Sequence, residues 1–361
     1  MTQVYFLVPG LILPDEAKAH VSDETLACLT KLSSDLSAQA LMQPMGEGVF
    51  SRSVHLEWLW NVLMRGHGPA QTAAFAWPLE QGPQLFSNDV LRLDAGHLTE
   101  TGTLESVTLS DEVIEAVSSA LTPILLAAGY TLQRWDKTLY VTTKETCVVY
   151  ARPFEAMLGH RRDLAADLAC APGQTERLQA HIALLERLEK TLASLTLYDG
   201  ARRVNALWLS GASRYFNVYP PTKIRSVLAD DKTVLGWALA AGILNHRMGP
   251  AAGVTDWPKD APNGACIALL EDLYAPWLAG DWALWSARVP ALVEQLTALS
   301  ASARRKGCDE ALIVGCGQSL TVTLPCRNKP AAMNLLARLT GGKKLAARDW
   351  VFARLCEEIA A

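Results

Sequence analysis

The sequence predicts an α/β protein in which a mostly parallel sheet is covered by helices and carries a smaller inserted α+β domain. The segment Val4–Val8 is a continuous apolar run that ends at Pro9-Gly10, as expected for a strand covered on both faces. After residue 204, short apolar runs alternate with helical periodicities, which is typical of a parallel sheet with crossover helices. Between these regions, the sequence consists of short strand-like runs separated by turn residues.

A chain of 361 residues favours two packed units. We expect a core domain made of residues 1–72 and 166–361, with an inserted domain at 73–165. The insert has the order β-β-α-β-β, with segments at Val90–Leu93, Thr103–Leu109, a helix opening at Ser110, Thr131–Trp135 and Thr138–Thr143. Ser110 is a good helix cap, and Pro123 is expected to end or kink the helix early.

Two long helices carry apolar stripes. One stripe consists of Leu178, Ile182, Leu185, Leu188, Leu192 and Leu195. Its spacing indicates packing in a core, with a coiled-coil seam as the alternative. The second stripe consists of Trp282, Trp285, Val289, Leu292, Leu296 and Leu299. Here Pro290 is expected to kink or divide the helix, and the Trp pair favours a core role over ligand stacking.

Composition excludes several classes of function. A net charge of -4 and a pI near 6.0 give no general attraction to nucleic acid or anionic lipid. Nothing approaches the roughly 20 apolar residues of a membrane span, and the first residues lack the features of a signal peptide. The eight cysteines form no C-x-x-C pair, which indicates reduced thiols and a cytoplasmic protein.

Ligands of open parallel sheets bind outside the carboxyl ends of the strands, so the residues that follow each predicted strand are the candidates for a site. Besides Pro9-Gly10, these strand-end residues are Ser210, Gly211, Asp230, Asp231, Glu271, Asp272, Gly315, Cys316 and Gly317. The four acids are suited to a divalent cation or to acid/base chemistry. The alternative is that an aspartate caps the following helix and that Glu271-Asp272 is a solvated loop.

Other motifs give weaker signals. Ser210 lacks the G-x-S-x-G pattern of a nucleophilic serine. Gly315-Cys316-Gly317 has only part of a dinucleotide fingerprint and indicates a tight turn, and the segment 341–344 is not a phosphate-binding loop. The seven histidines show no zinc spacing, and Asp94-Ala95-Gly96-His97 indicates local structure. The basic clusters 161–162, 202–203 and 304–306 indicate a solvated face, with phosphate binding as the alternative.

Several segments carry a family resemblance. The stretch Val204–Gly211, then Ser226–Asp231 and Leu235–Gly242, resembles the central strand, next strand and following helix of cofactor-independent phosphoglycerate mutases. The whole chain also resembles a group of RpfE-type regulatory proteins, in which four segments occur in the same order: the amino-terminal strand with Pro9-Gly10, Leu91–Leu98, the strand at Trp135 and Asn205–Gly211. The resemblance implies an alkaline-phosphatase-like fold and, in the mutases, two divalent metals held by Asp and His beside a phosphorylated Ser.

The residues that this chemistry needs are replaced here. Pro9-Gly10 stands where the resemblance implies an aspartate, Glu271-Asp272 where it implies an Asp-His pair, and Gly315-Cys316-Gly317 where it implies a histidine. No catalytic residue and no metal ligand is therefore carried over from the mutases.

Three functions remain open. The first is a non-catalytic regulatory or ligand-sensing protein with no cofactor, whose partner is an unknown small ligand or protein. The second is a phosphomutase or phosphatase that holds Mn, Mg or Zn with Asp230, Asp231, Glu271 and Asp272. The third is a protein-interaction module that uses the Leu178–Leu195 helix or the inserted domain.

Overall fold

A computed structural model describes residues 3–32, 41–45, 49, 51–65, 70–77, 88–219, 223–247, 264–325 and 351. The glycine-lysine segment 341–344 lies outside these residues. Contacts divide the chain into two compact units. Unit 1 consists of Met1–Gly46, Arg52–Arg65 and Val218–Ala361, and unit 2 consists of Glu47–Ser51 and Gly66–Asn217.

The strands are β1 Gln3–Pro9, β2 Leu41–Pro44, β3 Asp89–Leu98, β4 Leu104–Ser106, β5 Thr131–Trp135, β6 Thr138–Thr143, β7 Val149–Ala151, β8 Leu168–Cys170, β9 Tyr198–Asp199, β10 Arg202–Arg203, β11 Ala206–Ser213, β12 Ile224–Leu228, β13 Leu244–His246, β14 Ala265–Leu269, β15 Glu310–Cys316 and β16 Leu320–Pro325. The helices are α1 Asp23–Thr30, α2 Val54–Leu59, α3 Ala73–Ala76, α4 Asp111–Ala127, α5 Phe154–Met157, α6 Leu164–Asp167, α7 Thr175–Ser194, α8 Lys232–Ala240, α9 Tyr274–Ala279 and α10 Trp282–Arg305. The described residues also include a 3-10 helix at Asp15–Ala19 and a π-helix at Trp60–Met64.

Unit 1 is built on a seven-stranded sheet with the order β13-β12-β14-β1-β15-β16-β2. The first five strands are parallel to one another, and β16 and β2 continue the sheet in antiparallel pairings. The mostly parallel α/β class predicted from the sequence is therefore confirmed. Strand β1 lies inside the sheet, and its side chains Val4, Phe6 and Val8 are fully buried, as its unbroken apolar run predicts.

Helix α10 packs its apolar stripe in the same core as β1. Trp285, Val289 and Leu296 are fully buried, which confirms that this part of the stripe is core. The predicted division of the helix at Pro290 is wrong, because α10 continues through it to Arg305. An internal proline costs about 3 kcal/mol, and a buried stripe of this length offsets that cost.

Unit 2 is built on a five-stranded antiparallel sheet with the order β11-β3-β6-β5, in which β4 also pairs with β3. The β-β-α-β-β order predicted for this region is present as β3, β4, α4, β5 and β6. Ser110 caps α4 as expected, since its Oγ accepts a hydrogen bond of 3.3 Å from the Val113 amide. Pro123 does not end α4, which continues to Ala127.

The predicted limits of the insert, residues 73–165, differ from those of unit 2. The reason is β11, which was predicted to belong to the parallel sheet but pairs with β3, with Leu209 opposite Leu93. Helix α7 also packs in the core of unit 2, where Leu185, Leu188 and Leu192 are buried. That packing confirms the core interpretation of the helix over the coiled-coil seam.

Candidate functional site at the strand ends of unit 1

The carboxyl ends of β12, β14, β1 and β15 lie along one edge of the parallel sheet. Their register places Leu228 opposite Ala268, Leu7 opposite Leu269, and Pro9 opposite Cys316. The predicted residues that follow or end these strands therefore share this edge. They are Asp230, Asp231, Glu271, Asp272, Gly315, Cys316 and Gly317.

Ser210 and Gly211 do not belong to this edge, so that part of the prediction is wrong. Both lie in β11 of unit 2, where Ser210 is buried and pairs with Arg92. Gly211 has a φ of +69°, and a Cβ there would lie 2.2 Å from Thr72 Oγ1. The apolar run before Ser210 was assigned to the wrong sheet, because a run of this kind does not specify its pairing partner.

Asp231 has the structural role that the sequence offered as its alternative. Its Oδ1 accepts a hydrogen bond of 2.8 Å from the Val234 amide and caps α8. This oxygen satisfies one of the amides that the first turn of a helix leaves without an intrahelical partner.

Asp272 is a carboxyl group at this edge whose pKa is raised. Burial raises its pKa, the Arg288 guanidinium opposes that shift, and the negative charge of Asp230 adds to it. Arg288 also donates a hydrogen bond of 2.7 Å to the Asp272 carbonyl oxygen. The electrostatic effect of Asp230 on Asp272 shows that acids from two neighbouring strand ends lie close together.

The end of β1 is filled by aromatic side chains. Trp285 donates its indole N–H to the Gly10 carbonyl at 2.8 Å, and Trp277 donates to the Ile12 carbonyl at 2.9 Å. Gly10 has a φ of +75°, and a Cβ there would lie 2.8 Å from the Trp277 Cβ. This position, where the resemblance implies a metal-binding aspartate, therefore has no room for a side chain.

Only Gly317 of the predicted tight turn at Gly315-Cys316-Gly317 lies in a turn, because Gly315 and Cys316 are the last residues of β15. The Gly317 amide donates to the Leu320 carbonyl at 2.9 Å, and Cys316 pairs with Thr321 in the hairpin of β15 and β16. Burial raises the pKa of the Cys316 thiol strongly. A Cβ at Gly317 would contact the side chain of Ile12, so the chain segment after β1 covers this turn.

Arg52 is a buried residue near the same edge that the sequence analysis did not identify. Its guanidinium donates to the Leu278 carbonyl and lies 5.5 Å from the ring centroid of Trp277. Tyr274 donates its hydroxyl to the Arg52 carbonyl at 2.8 Å. A single arginine between two serines gave no periodicity or motif that would have marked it.

The residues at this edge do not fit the two-metal site that the resemblance implies. Gly10 offers no ligand and admits none, and Asp231 is occupied as a helix cap. Across the described part of the chain, no group of three or more His, Cys, Asp or Glu side chains is arranged to hold a metal ion.

Two other predicted motifs lie in unit 2. Arg92 pairs with Asp94 at 2.6 Å, whereas His97 Nδ1 lies 2.9 Å from the Arg203 carbonyl, so Asp94 and His97 contact different partners. Burial raises the pKa of Asp94 to about 7, against the opposing effect of Arg92. Arg162 forms an ion pair with Glu189, which leaves its guanidinium engaged within the protein.

The chain matches no model of a protein family, and no curated protein is significantly similar to it. Its structure is similar to that of the cofactor-independent phosphoglycerate mutase from Thermoplasma acidophilum, at 10% identity over 91% of this chain and 90% of that chain, with a TM-score of 0.39. It is also similar to the PH0037 protein from Pyrococcus horikoshii, at 12% identity over 90% and 87% of the two chains, with a TM-score of 0.41. No residue role follows from likenesses of this size, and the RpfE-type grouping stays a prediction.

Proposed function

We propose that the protein is a non-catalytic, ligand-sensing protein with a phosphomutase-like sheet. The observation that carries this proposal is the closed end of β1, where the Trp277 and Trp285 indoles bond to backbone carbonyls and Gly10 has no room for a side chain. In an open parallel sheet, the end of a central strand is where ligands and catalytic groups gather. Here that position is part of the hydrophobic core.

Phosphoryl transfer between oxygens requires cations that neutralise the phosphate and activate the nucleophile. The described strand ends offer Glu271, Asp272 and Asp230 beside the capping residue Asp231, which gives an edge of negative charge. Carboxylates repel a phosphate unless a cation lies between them. These carboxylates therefore favour a ligand that donates hydrogen bonds.

A turnover assay tests the non-catalytic part of this proposal. Purified protein is incubated with phosphorylated three-carbon acids in the presence of Mn²⁺, Mg²⁺ or Zn²⁺, and isomerised or dephosphorylated product is measured. We expect no rate above the protein-free blank. A metal-dependent rate that disappears in Asp230→Asn and persists in Glu294→Gln would overturn the proposal, because Glu294 lies on the exposed face of α10.

Thermal unfolding tests the ligand-sensing part. A ligand that binds only the native state raises the unfolding midpoint. The panel consists of the same acids, their dephosphorylated hydroxy acids and polyols, each with and without Mn²⁺. We expect a metal-independent shift with at least one compound, reduced in Asp230→Asn. If no compound shifts the midpoint, the protein is not a sensor for this class of molecule.

One observation favours a second function, a metal-dependent phosphomutase or phosphatase with a rearranged site. Asp230 raises the pKa of Asp272, so two acids from neighbouring strand ends share one electrostatic environment. Oxygen ligands from separate loops are what Mg²⁺ and Mn²⁺ prefer. This function requires stoichiometric metal in the purified protein, or a Mn²⁺-dependent midpoint shift that Asp230→Asn removes.

None of the described helices combines the length and apolar character that a membrane span requires.

A further inference from the structure

Unit 2 contains a pocket of about 210 Å³ between its sheet and helix α7. Leu91 of β3, Val149 of β7 and Leu184 of α7 provide apolar walls. An engineered apolar cavity of about 150 Å³ holds benzene. The pocket in unit 2 is therefore large enough for one six-membered ring with a substituent.

His181 of α7 also lines this pocket. It is only 7% exposed, and its Nε2 atom is buried without a hydrogen-bond partner. Burial lowers the pKa of His181 to about 4, so the imidazole is neutral at neutral pH. Buried polar atoms in native proteins nearly always have a partner, and the side chain that carries this unpaired Nε2 atom lines the pocket.

The charged and titratable groups around the pocket leave no unmatched charge for an ionic ligand. Arg177, one turn before His181, donates to the Thr146 carbonyl at 2.9 Å and lies 3.8 Å from Glu145. Burial raises the pKa of both Tyr130 and Cys147 to about 12, so these two side chains are uncharged. A charged ligand bound here would lose its hydration without gaining an ion pair with the protein, so its desolvation would not be compensated.

We propose that this pocket binds an uncharged single-ring molecule of the phenol class, with its hydroxyl group paired to His181 Nε2 and its ring against Leu91, Val149 and Leu184. The site belongs to unit 2 and does not depend on the strand-end edge of unit 1. Its failure and the failure of the proposed function are therefore distinguishable.

The first test compares the binding of phenol and toluene to the full chain by calorimetry and by NMR of ¹⁵N-histidine-labelled protein. Phenol should bind at least about five times more tightly, the factor expected from one net hydrogen bond. It should also shift the His181 Nε2 resonance, whereas toluene leaves that atom unpaired. Equal affinity for the two compounds, or no binding of phenol, would overturn the proposal.

Benzoate tests the charge of the ligand. We expect it to bind more weakly than phenol, because Arg177 is already engaged with Thr146 and Glu145. If benzoate binds more tightly than phenol, the assignment to an uncharged ligand is wrong.

Variants test the site itself. His181→Leu should reverse the preference, so that toluene binds better than phenol, while His20→Leu on the surface of unit 1 should retain the wild-type preference. Ala180→Trp is a second variant that leaves the core intact, because Ala180 is an exposed residue that lines the pocket. It should weaken phenol binding at least tenfold by filling the pocket mouth. Unchanged binding in Ala180→Trp would place the ligand elsewhere and overturn the proposal.

Discussion

The end of β1 in unit 1 and the face of α7 in unit 2 differ in how their buried polar groups are paired. At the end of β1, the indoles of Trp277 and Trp285 donate to the carbonyls of Ile12 and Gly10. On α7, the Nε2 atom of His181 is buried without a partner beside a pocket. The first region pairs its indole N–H groups within the protein, whereas the second leaves the His181 Nε2 atom unpaired.

The end of β1 is therefore a usual ligand position of this class of fold that is closed here, whereas the pocket beside His181 is the proposed ligand site. The strand-end edge is where an open parallel sheet usually binds its ligand. Yet a ligand at the end of β1 would have to displace two buried indoles and their hydrogen bonds. The pocket beside His181 requires no such displacement, although no general rule of the fold marks it.

Substitution of Trp285 removes one of the two indoles that cover the end of β1. It should lower the free energy of unfolding more than any of the other substitutions. Trp285→Ala removes a fully buried indole and leaves the Gly10 carbonyl without its donor. We expect the free energy of unfolding of unit 1 to fall by about 3–5 kcal/mol, measured by urea denaturation. Trp282→Ala, at a half-buried position of the same helix, is the control and should cost less than half as much. Equal losses would show that Trp285 has no special role in closing this end.

Gly10→Ala tests the same closure from the side of the main chain. The new Cβ would lie 2.8 Å from the Trp277 Cβ at a φ of +75°. Left-handed backbone and overpacking together should cost about 2–4 kcal/mol. The matched control is Gly307→Ala in the same unit, where φ is +86° but nothing lies within 4 Å of a Cβ. The control should cost only the backbone part, about 1–2 kcal/mol, and a similar cost for both variants would contradict the close packing at Gly10.

The pH dependence of stability tests whether His181 is buried and neutral. Its pKa is lowered from 6.5 to about 4, so the unfolded chain binds a proton more readily between these values. Stability is therefore retained above pH 6.5 and is lost as the pH falls towards 4. At pH 5, His181 should account for a loss on the order of 2 kcal/mol relative to pH 8.

Replacement by an apolar residue isolates this contribution. The difference in unfolding free energy between pH 8 and pH 5 should shrink by that amount in His181→Leu. His20→Leu at the exposed surface should leave the difference unchanged. His55 in unit 1, whose pKa burial lowers to about 3, contributes equally to wild type and both variants. Parallel pH profiles for wild type and His181→Leu would mean that the imidazole is solvated.

Much of the fold follows from local pattern. The unbroken apolar run Val4–Val8 predicts a central parallel strand, and the spacing of Trp285, Val289 and Leu296 predicts the buried face of α10. These predictions succeeded because the residues that a strand or helix buries recur at the spacing of that element, which is visible in the local sequence. The predicted division of the helix at Pro290 is wrong, because tertiary packing offsets the local cost of a proline.

The pairing of β11 did not follow from local pattern. Its apolar residues indicate a buried strand, but nothing within the segment specifies β3 as its partner, and this pairing joins residues more than a hundred positions apart. Ser210 and Gly211 were consequently assigned to the wrong sheet. The acids that follow β12 and β14 share one edge because a parallel sheet brings the ends of its strands together, and their role in a ligand pocket stays a prediction.

One feature of the sequence points to the buried histidine of the pocket in unit 2. His181 stands three residues after Leu178 and four before Leu185, which is a core position of the apolar stripe. A histidine at such a position is expected to be buried, and its second ring nitrogen then needs a partner. The absence of that partner is a property of the folded unit and cannot be deduced from spacing.

The smallest effect is expected at the acids of the strand-end edge, where Asp231 and Asp230 have different roles. Asp231→Ala removes the cap of α8 and should lower the free energy of unfolding by about 1 kcal/mol. Asp230→Ala should change it by about 0.5 kcal/mol or less, as for exposed positions in general, but should lower the pKa of Asp272, since the charge of Asp230 raises that pKa. Denaturation curves measure the first effect, and a carbon-detected NMR titration of Asp272 measures the second. An unchanged titration of Asp272 in Asp230→Ala would show that the two acids do not interact, and the metal-dependent alternative would then lose its support.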